Sequence, residues 1–294
     1  MAIESGVGWK RAICNELFGA MGFEQSCDLL AAHGFHGVEI APFTLADQDG
    51  RLAPQTIARV RRALAGSGIS FAGFHWLLAH PAGLHATCAD AAVRSATWTH
   101  VRRLLEAAGE LGGGPLVFGS PRQRSAVDVP VEQARLHLQQ GMLSVCAAAH
   151  ENNSLLLMEA LPLRESNVVN TLADAQQLIE TVNCPAVRGM FDFHNCADES
   201  LAWAELIERY AAVIRHVHLN TRSGSYPRRL TAEYRNAFAR LQRIGYNRWV
   251  SLEIFHQPQD AAQVLRDTKQ FLDRVEAQCR EGDFPGKGDE HIGL

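Results

Sequence analysis

No stretch of the chain approaches the roughly 18 consecutive apolar residues that a membrane-spanning helix needs, so a membrane protein is not expected. No C-x-x-C pair occurs among the seven scattered cysteines, which argues against both a thiolate zinc site and a disulfide framework. Cys14, Cys27, Cys88, Cys146, Cys184, Cys196 and Cys279 therefore read as reduced packing residues. An excess of charge is missing too: 28 Lys and Arg face 32 Asp and Glu, a formal charge of −4, which speaks against nucleic acid or an anionic membrane as partner. The opening MAIESGVGWKR has no apolar signal core, and a soluble, cytoplasmic protein is the expectation.

What the chain does have is rhythm. Apolar residues make up 47% of its 294 positions, enough for a sizeable core, and they fall into short runs alternating with longer amphipathic ones. The short runs, read as strands, cover residues 12–18, 38–42, 70–77, 115–119, 154–161, 188–194, 214–222 and 249–255. Helical patterns follow each of them, over 23–33, 54–65, 89–111, 131–150, 173–182, 201–212, 232–244 and 261–278. Eight strand-then-helix units imply parallel pairing and match a closed (β/α)8 TIM barrel, an α/β fold in one domain over 1–280. An open doubly wound sheet would want a glycine-rich dinucleotide fingerprint after its first strand, and ICNELFGAMGF is not one. The polar stretch 281–294 reads as a mobile tail or an arm for a homo-oligomer.

Barrel enzymes carry their chemistry at the C-terminal ends of the strands. Alternation puts Leu155, Leu157 and Glu159 on one face of the fifth strand, Met190, Asp192 and His194 on one face of the sixth, His216, His218 and Asn220 on the seventh, and Trp249, Ser251 and Glu253 on the eighth. Four neighbouring strands thus bring a metal-ligand type towards one end. Two Glu, one Asp and one His form an oxygen-dominated set that suits one divalent ion, Mn(II) first, with Mg(II), Co(II) or Zn(II) as alternatives. His75 and Trp76, ending the third strand, could cover a sugar or bond a hydroxyl; Glu16 and Glu39 end the first two strands with the same options or as structural partners. Arg122 and Arg124 in the GSPRQR loop offer a contact for an anionic group. His256 falls off the ligand face by alternation.

The segments MEALPLRE, FDFHN, RHVHLNTR and GYNRWVSLEIF resemble the xylose-isomerase-like sugar phosphate isomerase/epimerase superfamily, over roughly residues 12 to 275. Its members include ketose 3-epimerases, hydroxypyruvate isomerase, inosose dehydratase and, more distantly, endonuclease IV. The resemblance implies a single divalent ion held by Glu159, Asp192, His218 and Glu253. It also implies substrate contacts from Glu165, six residues after Glu159, and from an Arg after the ligand His, for which Arg222 is the nearest match at a different offset. The ketose 3-epimerases carry His at the third position after the Asp; here His194 is at the second and Asn195 at the third, so His194 is the candidate substrate contact at an altered spacing.

The expected activity is that of a metal-dependent sugar isomerase or epimerase acting on a small polyhydroxy ketone through an enediolate, with Glu159 and Glu253 as base and acid on its two faces. Loss of a β-hydroxyl from the same intermediate would make a dehydratase or lyase instead. A non-catalytic sugar-binding barrel that needs a partner subunit is the alternative outside enzymes. A repair endonuclease would want Asp where Asn220 stands and a His after the fourth strand, where the sequence has Gly119-Ser120.

Overall fold

In the computed structural model, which describes residues 8–281, eight parallel strands close into a barrel in sequence order, with β1 pairing β8. The first half runs β1 (Lys10–Cys14), α1 (Phe23–Ala32), β2 (Gly37–Ile40), α2 (Pro54–Ser67), β3 (Ser70–Phe74), α3 (Ala91–Glu110), β4 (Pro115–Phe118), a short α4 (Pro121–Arg124), α5 (Val131–Ser144) and α6 (Cys146–Glu151). The second half runs β5 (Leu155–Met158), α7 (Leu172–Val182), β6 (Val187–Asp192), α8 (Trp203–Arg209), β7 (Ile214–Leu219), α9 (Ala232–Arg243), β8 (Trp249–Leu252) and α10 (Ala261–Glu281). The protein is a single TIM barrel, as the eight-unit rhythm predicts. The polar stretch expected as a tail lies, beyond Glu281, outside the described residues. None of the described helices is long and apolar enough to cross a membrane.

Two hydrophobic populations hold the barrel. The larger lies between strands and helices, where strand residues such as Ile13, Val38, Phe74, Phe118, Phe191 and Val217 are fully buried. The smaller is a plug inside the barrel made by Val117, Leu157 and Met190, with Leu155 packed beneath. Above that plug the interior turns polar: Glu39, His75, His216, His218 and Ser251 are all buried. Burial of so many polar groups is tolerated only where they satisfy one another or a ligand.

The strands are shorter than the apolar runs suggest, and the missing residues are informative. β5 ends at Met158 and β8 at Leu252, so Glu159 and Glu253 stand one residue past the last strand position. The run 12–18 divides into β1 and a 3-10 turn over Asn15–Phe18, which carries Glu16 out of the strand and into the mouth. Gly73 sits at φ 141° with Pro115 closely packed where a Cβ would project, so only glycine fits the β3–β4 seam. The helix expected over 131–150 breaks at Val145 into α5 and α6.

One expectation is corrected. Cys146 and Cys184 are joined by a disulfide, tying the start of α6 to the segment before β6. Their separation of 38 residues matches no short cysteine motif, and only the packing of α6 beside the β6 entrance brings the two sulfurs together. The other five cysteines are free and buried.

Candidate functional site

At the C-terminal mouth, Glu159, Asp192, His218 and Glu253 each offer one ligand atom, all four lying within 4.8 Å of one another. Nδ1 of His218 is 3.0 Å from Glu253 Oε2, 3.5 Å from Asp192 Oδ2 and 3.8 Å from Glu159 Oε1. That nitrogen is buried without a hydrogen-bond partner. The ring's other nitrogen, Nε2, is held 3.0 Å from Glu39 Oε1, so the imidazole is oriented from behind and presents Nδ1 to the carboxylates. A histidine with one nitrogen on a carboxylate and the other aimed into an oxygen cluster has the arrangement of a divalent-metal ligand. The donor set fits one such ion.

Neighbouring groups fix the carboxylates in turn. Asp192 Oδ1 accepts the backbone N–H groups of His194 at 2.6 Å and Asn195 at 3.1 Å, because the chain turns immediately after β6. Glu159 Oε1 accepts from Asn195 Nδ2 at 3.0 Å. Asn220 donates to Asp192 Oδ2 at 3.4 Å and accepts the His194 N–H at 2.8 Å, which explains its place on the histidine face of β7. Glu39 Oε2 lies 2.8 Å from His216 Nε2, so one fully buried carboxylate serves two histidines of one strand.

The electrostatics follow from this crowding. Burial, with Glu253 and Asp192 adding to it, pushes the Glu159 carboxyl well above the usual range. Burial would raise Glu39 as well, but His216 and His218 together hold it well below its ordinary value. For His218 burial is outweighed by Glu39 and Glu253, and its imidazole is pushed well up; for His216 burial wins and the ring stays neutral more readily. Four carboxylates in one buried volume call for positive charge, and a dication would supply it.

Above these four side chains opens a cavity of about 550 Å³, within the range of small-molecule sites. Glu16, His75, Glu165 and Asn195 give it polar groups, and Trp76, Leu161 and Ile254 give it apolar walls. Phe43 and Phe255 form an exposed apolar rim, 40% and 44% accessible. Among the described residues, no Lys or Arg lines it. His75 Nε2 is 2.7 Å from Glu16 Oε2; burial opposes its charge, but that partner carries it up to about 9. Trp76, next to it, holds φ 52°, a backbone conformation rare outside glycine and characteristic of functional loops.

The family model for xylose isomerase-like TIM barrels matches residues 27–275. The chain belongs to that family. This xylose isomerase-like barrel is 24% identical over 181 residues to 3-dehydro-D-guloside 4-epimerase of Escherichia coli K12, a stretch covering 58% of this chain and 68% of the relative. Among solved structures it resembles the apo form of 3-keto-D-glucoside 4-epimerase from E. coli, with TM-score 0.78, 20% identity and coverage of 90% of this chain and 99% of the other. It also resembles L-ribulose 3-epimerase, at TM-score 0.80 and 18% identity, over 95% of this chain and 100% of that one. D-psicose 3-epimerase crystallised with D-fructose gives TM-score 0.77 and 17% identity, over 91% and 98% of the two chains.

Of the residues singled out from sequence, the barrel brings Glu159, Asp192, His218 and Glu253 together and sets Glu165 and His75 on the cavity wall. His194 lies beside the cavity, with Nε2 accepting from Arg164 Nη2 at 2.8 Å and its ring edge against Phe255. Arg222 goes elsewhere: its guanidinium covers the Trp203 ring and is 2.5 Å from Glu233 at the start of α9, away from the cavity lining. Arg124 is wholly buried and donates to the carbonyls of Phe118, Glu159 and Val169, so it braces the loop after β5 and does not face an anion. His256 does line the cavity, because β8 ends at Leu252 and alternation no longer applies beyond it.

Asn195 and Gly119 adjoin Glu159 and were passed over by residue-type reasoning. The first was visible only as a departure from a spacing. At Gly119, Glu159 Oε2 occupies the space a Cβ would fill. In Gly119→Ala the carboxylate must move, and we expect turnover to fall at least tenfold with the thermal midpoint changed little; circular dichroism melting beside steady-state kinetics checks the split.

Proposed function

We propose that the chain is an epimerase or isomerase of an unphosphorylated polyhydroxy ketone, working with one divalent ion held by Glu159, Asp192, His218 and Glu253. The observation carrying this reading is the meeting of that ligand set with a cavity rich in hydrogen-bonding groups and, among the described residues, lined by no lysine or arginine. A phosphoryl group would find no arginine or lysine among the described residues of the cavity wall. Relatives named for reactions at a carbon beside a ketone support the same chemistry.

A bound divalent ion supplies a positive centre that stabilises the oxyanion developing on the carbonyl as the α-proton leaves. Everything else falls to side chains. Glu159 and Glu253 approach from β5 and β8, on two sides of His218, and serve as the pair that removes a proton from one face of the substrate carbon and returns one to the other. Asn195 holds one oxygen of Glu159 and leaves the other for the proton. The His75–Glu16 pair and Glu165 orient hydroxyls, while Trp76 and Phe255 exclude water from the planar enediolate. Which carbon receives the returning proton decides between epimer and isomer.

The test is exchange. Mn(II)-loaded protein in heavy water is given a panel of free ketoses and 3-keto glycosides, each beside its phosphorylated counterpart. The expected result is deuterium at the carbon next to the carbonyl, together with a new epimer, for at least one neutral substrate, with its phosphate ester slower by tenfold or more. A preference for the phosphorylated member would refute the neutral-substrate reading, and no exchange in any member would refute the catalytic one.

A further inference from the structure

The opposite end of the barrel carries a second built cavity of about 650 Å³, lined by Lys10, Arg215, Arg248 and His150 and by no Asp or Glu among the described residues. Its position follows from the sheet. β6, β7, β8 and β1 are successive neighbours in the closed ring, and each enters it with a basic residue: Arg188, Arg215, Arg248 just before β8, and Lys10. None of these four forms an ion pair among the described residues, whereas Arg11, one position along from Lys10, is paired with Asp273 and Glu276 of α10. Arg215 is half-buried, its Nη1 tied to the carbonyls of Ile214 and Ala211, and Lys10 lies over the Trp249 ring, 5.2 Å from its centre. Burial first, and then the neighbouring Arg248 and Arg188 charges, push the Arg215 guanidinium down from its ordinary value.

Like charges gathered around one concavity repel one another unless an anion sits among them. We infer that this cavity is a binding site for the phosphate group of a small molecule, distinct from the catalytic mouth. Arginine forks and a lysine point charge are the usual partners of phosphate. Elsewhere on the wall Asn153 and Asn247 add amides to receive the organic part of such a ligand. The disulfide-tied segment supplies Pro185 and Ala186 to the same wall.

Calorimetric titration of the full chain with inorganic phosphate, glycerol 3-phosphate and glycerol tests the site. Both phosphates are expected to bind once per chain and glycerol not at all. Tighter binding of glycerol 3-phosphate than of phosphate would seat the organic part on the amide wall, whereas equal binding would point to free phosphate as the ligand. Lys10→Ala with Arg248→Ala changes two exposed side chains and is expected to weaken binding at least tenfold, while Glu165→Gln at the other mouth leaves it unchanged. In the unsubstituted chain, phosphate is expected to protect Arg215 and Arg248 from phenylglyoxal, read by peptide mass. Absence of saturable binding, equal affinity in the double variant, or no protection would each overturn the assignment and leave a solvated basic face.

Discussion

Turnover of the keto sugar is expected to fall by roughly 10²–10⁴ in both Glu159→Gln and Glu253→Gln, the size of effect associated with loss of a general base or acid. The amide keeps the shape of each side chain but can neither take up a proton nor bring a charge to the ligand cluster. The two variants are not expected to behave alike. With one face stripped of its base, the remaining carboxylate still exchanges the α-proton of the epimer it faces, so deuterium washes into one epimer without conversion to the other. Each variant should therefore spare the opposite epimer. His218→Ala is the companion measurement, because it keeps both carboxylates and removes the imidazole between them. Plasma mass spectrometry is expected to find about one divalent ion per native chain and less than a tenth of that in His218→Ala. Full turnover in either Gln variant would remove the two-carboxylate mechanism, and native ion content in His218→Ala would remove His218 from the ligand set.

Loss of Glu39 should be the most damaging single change to stability. Its carboxylate is completely buried, 2.8 Å from His216 and 3.0 Å from His218. Deleting one partner of a buried charged pair typically costs about 3–5 kcal/mol, since the other is left without compensation. Glu39→Ala orphans two imidazoles at once, and we expect its unfolding free energy, measured by urea titration, to drop by that amount. Glu39→Gln keeps one acceptor oxygen and should lose less. Because Glu39 also orients the ligand histidine, divalent-ion affinity in the Gln variant is expected to fall by roughly 10–100-fold, the effect usual for such supporting groups. Unchanged stability in Glu39→Ala would show that the histidines need no partner.

The barrel was legible because strand and helix periods alternate without interruption through eight units, and such a pattern leaves few topologies open. The meeting of Glu159, Asp192, His218 and Glu253 was legible for a related reason: strands β5 to β8 deliver the residues at or just past their C-terminal ends to one place. Arg222 and Arg124 show where that logic stops. Both lie in connections whose course depends on packing, and a guanidinium on a flexible stem can turn to Trp203 or to backbone carbonyls as easily as to a cavity. The Cys146–Cys184 bridge joins separate elements and leaves no local trace in the sequence. Glu39 is intermediate, since its place at a strand end was plain but its two histidine partners come from the far side of the ring.

That ring closes through β1 against β8, Lys10 beside Trp249 and Ile13 beside Leu252, partners from opposite ends of the chain. During synthesis the seam cannot form until almost the whole polypeptide has left the ribosome, so closure is delayed however quickly the individual units gather. Glu253 arrives with that last strand. A chain that stops short of it has neither a sealed barrel nor the fourth member of the acidic cluster, and prematurely terminated copies are expected to be silent as catalysts.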